Sequence, residues 1–295
     1  MEIGNWKSTK ELNGIYRQIR DLGLETHLAE LEAFGFTVIE DALTPEQIEK
    51  SRDAILKVTS ERWGHEIDIE NEAEQAGVDY VPFLLDKDPI FPEIVMNEKP
   101  LALITYLMGE HVLLSSMGSH CKGPGGECLP LHSDQGNGMI REGMNSVSHS
   151  CNCNYALTDY TEEGGCLGMV PGSHRYFRQP TAQEIMLGGE NGNPFAIPME
   201  IPAGAAVIWH GNTWHGSYKR TIPGVRVNLA VYFCRQYIAT QEDVRGNVSQ
   251  ELLDQFKDQP RFATLMGQDT TYGWGPDGPD MAKMRSNVAG RTWHS

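Results

Sequence analysis

The chain has no run approaching the roughly 18 apolar residues of a membrane span, so no membrane-crossing segment is expected. It is also short of positive charge: 24 Lys and Arg stand against 40 Asp and Glu, a formal net charge of −16. A nucleic-acid protein needs a basic footprint, and an anionic bilayer surface repels a chain of this sign. Neither partner is expected. The stretch Met1-Glu2-Ile3-Gly4-Asn5-Trp6-Lys7 lacks the basic and apolar regions of a signal peptide, so a cytoplasmic location is expected. No C-x₂-C pair of a zinc module occurs among Cys121, Cys128, Cys151, Cys153, Cys166 and Cys234. In a reducing compartment they are expected as buried free thiols. No internal repeat and no low-complexity tract is found.

What is present is an ordinary globular composition, 40% hydrophobic and 22% charged over 295 residues. That length can bury a substantial core. Residues 1–34 read as largely helical, with Ser8 as a candidate cap and Ile15, Ile19 and Leu22 at helical spacing. Gly35 punctuates, and Phe36 to Glu40 reads as a short strand. Thr44-Pro45-Glu46-Gln47 then carries a Thr cap, Pro at the first helical position and Gln at the third, the capping-box arrangement. Residues 64–92 have no clear period and read as a loop or lid. Pro100 to Met108 reads as a helix ended by Gly109.

After His111 the grammar changes to short extended runs broken by glycine and proline. The spacing predicts strands over 111–119, 129–134, 151–158, 166–170, 198–201, 205–209 and 226–234, with loops at 135–150 and 179–196. Helices first and strands after, without βαβ alternation, predict a mainly β fold with an N-terminal helical layer. The expected organisation is one domain over 1–295: a helical layer and lid (1–110), a β core (111–235) and a C-terminal extension (236–295).

His132-Ser133-Asp134 is a histidine two residues from a carboxylate. On an extended chain both side chains point to one face, because strand side chains repeat every second residue. Leu129 and Leu131 would share the opposite face. A second histidine would complete a two-histidine, one-carboxylate set, which leaves positions open on a non-haem Fe(II). His174, His210 and His215 are the competitors, and spacing does not choose between them. Downstream, Arg226, Asn228, Ala230 and Tyr232 share one strand face, while Val225, Val227, Leu229, Val231 and Phe233 share the other. A strand lining a polar cavity shows that pattern, and a solvent-facing edge strand shows it too. Arg226 there would hold an organic carboxylate with its planar fork.

Three stretches carry a resemblance. They are Leu131-His132-Ser133-Asp134; Leu157 to Leu167 running into Pro171-Gly172-Ser173-His174-Arg175; and His215-Gly216-Ser217 followed by Arg226. A glycine-led strand and capped helix, Phe34 to Ile39 and Leu43 to Glu46, extend it toward the N-terminus. Over roughly residues 30–235 the chain resembles the phytanoyl-CoA dioxygenase family of Fe(II)/2-oxoglutarate oxygenases. The resemblance implies a double-stranded β-helix, or jelly-roll, cupin-like core. It implies His132, Asp134 and His215 as iron ligands, and Arg226, assisted by Ser217, as the holder of the distal carboxylate of 2-oxoglutarate. His174 and His210 are then not ligands, and the Pro-Gly-Ser-His segment is a turn.

The implied reaction oxidises, by default hydroxylates, a small organic molecule with O₂ while 2-oxoglutarate is decarboxylated to succinate. Asp134 disfavours halogenation, whose practitioners lack that carboxylate. Some members place a polar residue three before the first ligand, where this chain has Leu129; Asn152 or Asn154 are candidate substitutes. Met139, Arg141, Met144 and Trp214 are candidate substrate contacts. No compact Lys/Arg cluster appears in the sequence, which favours a free small molecule over a coenzyme A thioester. Two other classes remain: a metal-dependent dioxygenase or isomerase without 2-oxoglutarate, and a non-catalytic metal-binding jelly roll.

Overall fold

The computed structural model describes residues 14–73, 77–136, 146–268, 273–282 and 284. Ser8 and the loop residues Met139, Arg141 and Met144 lie outside these. The N-terminal layer begins with two short helices, α1 (Ile15–Asp21) and α2 (Glu25–Phe34). Ile15, Ile19 and Leu31 are their buried positions. Gly35 ends α2 at φ 84°, and a Cβ there would lie 2.5 Å from His174 Nδ1 and 2.6 Å from Thr213 Oγ1. Both the left-handed backbone and the close approach require glycine.

Strand β1 (Phe36–Ile39) leads into the long helix α3 (Pro45–Trp63). Its capping box forms as expected: Gln47 N donates to Thr44 Oγ1 at 3.2 Å, and Thr44 N donates to Gln47 Oε1 at 3.0 Å. The segment expected to be irregular contains a strand, β2 (Val78–Val81), and ends in a helix, α4 (Ile90–Val95). Val78 and Tyr80 stay exposed, so no buried-face alternation betrays β2 in the sequence. Helix α5 (Glu98–Met108) ends at Gly109.

Eight further strands follow: β3 (Leu113–Lys122), β4 (Leu129–His132), β5 (Ser150–Ala156), β6 (Leu167–Met169), β7 (Ile197–Pro198), β8 (Ala206–His210), β9 (His215–Ser217) and β10 (Asn228–Cys234). All pairings are antiparallel. They form a six-stranded sheet, β1-β8-β5-β10-β3-β2, and a four-stranded sheet, β4-β9-β6-β7. These two sheets are the expected jelly roll. Three short helices, α6 (Val244–Asn247), α7 (Gln250–Gln255) and α8 (Pro260–Leu265), follow the last strand.

The period of two places the core. On β5, Cys151, Cys153 and Tyr155 face the helices, whereas Asn152 and Asn154 face a cavity. On β8, Ala206 and Ile208 face the helices, while Val207 and Trp209 join a second, inner cluster with Leu131, Tyr160 and Trp214. The helical layer draws on both ends of the chain, since Phe256, Phe262 and Leu265 belong to the same cluster as Ile15 and Leu31. All six cysteines are free. No described helix is long and apolar enough to cross a membrane.

Candidate metal and anion site

His132 ends β4 and His215 opens β9, and the two are register partners across the ladder. Their rings lie 4.4 Å apart. Asp134 is not on the strand. The expected strand over 129–134 stops at His132, and Asp134 opens a 3₁₀ turn, Asp134–Gly136. The pairing also slips between Leu129 and His132. Leu131 is therefore buried in the inner cluster while Leu129, 46% exposed, sits on the cavity wall. The expectation that both leucines share the face opposite the ligands is corrected by that bulge.

One carboxylate oxygen of Asp134 faces each histidine: Oδ1 is 3.6 Å from His132 Nε2, and Oδ2 is 3.6 Å from His215 Nε2. One ligand atom from each residue lies within 4.8 Å of the others, the single such cluster among the described residues. The far nitrogens are anchored: His132 Nδ1 bonds Pro130 O at 2.8 Å and His215 Nδ1 bonds Thr213 O at 3.1 Å. A carbonyl only accepts, so each Nδ1 carries the hydrogen and each Nε2 presents a lone pair inward. Asn152 Nδ2 donates to Asp134 Oδ2 at 2.7 Å, which fixes the carboxylate plane.

Burial pushes the Asp134 carboxyl up, but His215, His132 and Asn152 outweigh it and hold the group below its ordinary value. Burial also drives His215 down to about 4, against the pull of Asp134. Burial opposes protonation of His132 too, yet the Asp134 carboxylate beside it raises it overall. An ionised carboxylate between two inward lone pairs is a donor set for a divalent cation of borderline hardness. His174 and His210 are elsewhere. Their rings lie 5.6 Å apart, tilted at 50°, with His210 Nε2 bonded to Ser146 O. His174 belongs to a 3₁₀ turn after Gly172, as expected of a turn.

The cluster opens on a cavity of about 510 Å³ between the two sheets. Arg226 lies toward its inner end, 3% exposed. It precedes β10 and makes an isolated bridge with Lys122 at the end of β3. Its Nη1 donates to Gly165 O at 2.9 Å and its Nη2 to His120 O at 3.2 Å, while Nε is buried without a partner. The guanidinium lies 5.2 Å from the Tyr160 ring centre. Ser217 opens onto the same end, and Asn154 lines it while accepting from Tyr160 Oη at 2.9 Å. Asn228, Ala230 and Tyr232 line the cavity with Arg226, whereas Val225, Val227, Leu229, Val231 and Phe233 pack under the helices.

Trp214 is corrected. It is a core residue, 1% exposed, donating its indole N–H to Arg178 O at 2.8 Å, and it does not line the cavity. Trp209 does line it, 4.8 Å from the His215 ring. Asn152 holds Asp134. Sequence reasoning missed Tyr80, His120 and Lys122 on the wall. Strand β3 runs to residue 122, three beyond the strand expected from sequence, and Ser116, His120 and Lys122 fall on its cavity face.

An antiparallel jelly roll with two histidines and a carboxylate facing a buried arginine defines a class of cupin-like metalloproteins. The chain belongs to the phytanoyl-CoA dioxygenase (PhyH) family, an oxidoreductase family, which it matches across residues 31–227. It is 26% identical over 206 residues to "Dioxygenase af480" of Aspergillus fumigatus, covering 68% of this chain and 63% of that one. Its fold is similar to HygX from Streptomyces hygroscopicus with nickel and 2-oxoglutarate bound, at a TM-score of 0.56 and 16% identity over 73% of this chain and 88% of that one. It is also similar to SnoN, a non-heme α-ketoglutarate-dependent epimerase from nogalamycin biosynthesis, at 0.56 and 18% over 73% and 84%.

Proposed function

We propose that the protein is an Fe(II)- and 2-oxoglutarate-dependent dioxygenase that oxidises a small organic molecule, with residues 1–295 acting as one oxygenase domain. The observation that carries this reading is the pairing of two sites in one cavity. The inward His132, Asp134 and His215 set fits a divalent metal, and the buried Arg226 has an Nε without a partner. His132, Asp134 and His215 would hold the iron. Arg226 and Ser217 would hold the distal carboxylate of 2-oxoglutarate. Iron with O₂ and 2-oxoglutarate would supply oxidising power, with succinate and CO₂ as coproducts.

The chain's own residues do the remaining work. Pro130 and Thr213 carbonyls keep both imidazoles in the tautomer that offers Nε2. Asn152 keeps Asp134 from rotating. Gly165 and His120 carbonyls fix the Arg226 fork, so a carboxylate meets a preset geometry. Trp209, Leu129 and Tyr80 wall the cavity and limit water. Hydroxylation is the default outcome, and the epimerase among the structural relatives supports other outcomes on this scaffold.

The test is conversion of 2-oxoglutarate to succinate by Fe(II)-loaded protein in air, with His132→Ala as control. No succinate above that control sinks the proposal. Arg226→Ala separates it from a metal-dependent dioxygenase or isomerase without 2-oxoglutarate: it should abolish succinate formation here, whereas such an enzyme would keep its substrate turnover.

A further inference from the structure

Three buried cations, Lys122, Arg220 and Arg226, neighbour one another, and two of them, Lys122 and Arg226, line the cavity. Lys122, Arg220 and Arg226 are 1%, 7% and 3% exposed. Lys122 donates to Glu127 O, Ser217 Oγ and Tyr218 O; Arg220 donates to Gly164 O and Pro223 O; Arg226 donates to Gly165 O and His120 O. Among the described residues none of these partners is a carboxylate. Burial and then the neighbouring Arg226 push Lys122 down to about 7, and the same two causes push Arg220 down to about 10. Buried positive charge without a counterion is costly, and an incoming anion relieves it.

Lys122 is also cradled. A Cβ at Gly126 or Gly165 would run into its aliphatic stem. Its backbone is tied to that of Arg226 by two 2.9 Å hydrogen bonds, so the end of β3 and the residue bridged to it hold both cations at fixed positions. The ammonium has three hydrogens and no lone pair. They are aimed at Glu127 O at 3.0 Å, Ser217 Oγ at 2.8 Å and Tyr218 O at 2.6 Å. Ser217 Oγ must therefore accept from Lys122. Its own hydrogen is left for another acceptor, and Ser217 lines the cavity.

Resting on the proposed cosubstrate site, we propose that Lys122 is a second anchor of the distal carboxylate. It acts as a positioning residue that turns the Ser217 hydroxyl outward as a donor, and it sets a second positive charge beside Arg226. The carboxylate then meets a fork from the segment that leads into β10 and a polarised hydroxyl from β9 of the other sheet.

The test is calorimetric titration of 2-oxoglutarate into the full chain loaded with Mn(II), for wild type, Lys122→Met, Ser217→Ala and the double variant. Lys122→Met is expected to raise Kd at least tenfold, roughly one lost charged hydrogen bond. Mn(II) affinity should stay unchanged, and the double variant should be no weaker than Lys122→Met alone. In turnover the KM for 2-oxoglutarate should rise with little change in kcat. A Kd within twofold of wild type, or single effects that simply add, overturns the proposal. Where Lys122→Met does not fold by circular dichroism, Lys122→Gln carries the same comparison. Wild type that binds Mn(II) but not 2-oxoglutarate overturns the proposed function itself, and this inference with it.

Discussion

At the scale of single residues, the metal cluster is shaped by groups that touch it from outside. Asn152 is the clearest case. It places a neutral donor on Asp134 Oδ2, the oxygen that faces His215, and adds no charge to compete with a metal. Partners of this kind change metal affinity by roughly 10–100-fold when removed. Asn152→Ala should weaken Fe(II) or Mn(II) binding by about tenfold with an unchanged circular dichroism spectrum. An unaltered metal titration would show that Asp134 needs no such support. Lys122 makes a pH prediction. Without an anion its amine titrates at about 7, far below an ordinary lysine, because of burial and then Arg226, with Arg220, Cys128 and Cys166 also facing it. A bound carboxylate favours the ammonium and raises that value. Above pH 7, binding must therefore take up a proton, and 2-oxoglutarate affinity should fall as pH rises, by up to about tenfold per unit. Kd measured between pH 6.5 and 8.5 checks the sign, and Lys122→Met should flatten the slope.

At the scale of elements, what the sequence makes legible follows the local period. The alternation over 225–233 could be read because the strand lies between two different environments, a helix-backed core and a polar cavity. The cap of α3 could be read because its four residues bond one another. Strand β2 could not, since Val78 and Tyr80 are exposed and leave no hydrophobic imprint. The turn that carries Asp134 could not either, because a strand and a 3₁₀ turn can both bring an i, i+2 pair together. Lys122 gains its meaning only from Arg226 across the β-ladder, a contact that no local window contains. Gly35 tests how far one punctuating residue controls the layers. It ends α2 at φ 84° and lets His174 and Thr213 pack against the chain between α2 and β1. Its carbonyl also accepts from His210 N at 2.9 Å. Gly35→Ala combines a left-handed backbone with steric overlap, so it should cost about 2 kcal/mol or more. A urea midpoint unmoved by the change would mean that the layers can slide to make room.

At the scale of the whole molecule, a strongly acidic protein is proposed to bind a dianion. The formal charge of −16 sets the field that 2-oxoglutarate meets on approach, while the compensating cations lie buried at the inner end of the cavity. Salt acts on the two differently. A Debye length of about 8 Å at physiological ionic strength screens the outer charges. It barely reaches the buried Lys122 and Arg226. Raising salt from about 10 mM to about 150 mM should therefore speed association several-fold by lifting the outer repulsion. Dissociation, governed by the inner contacts, should change little. Stopped-flow fluorescence can follow both rates, since Trp209 stands in the cavity wall. An association rate that falls with salt would mean that the cations at the cavity end reach far enough to steer the ligand. The acidic surface would then be irrelevant to capture.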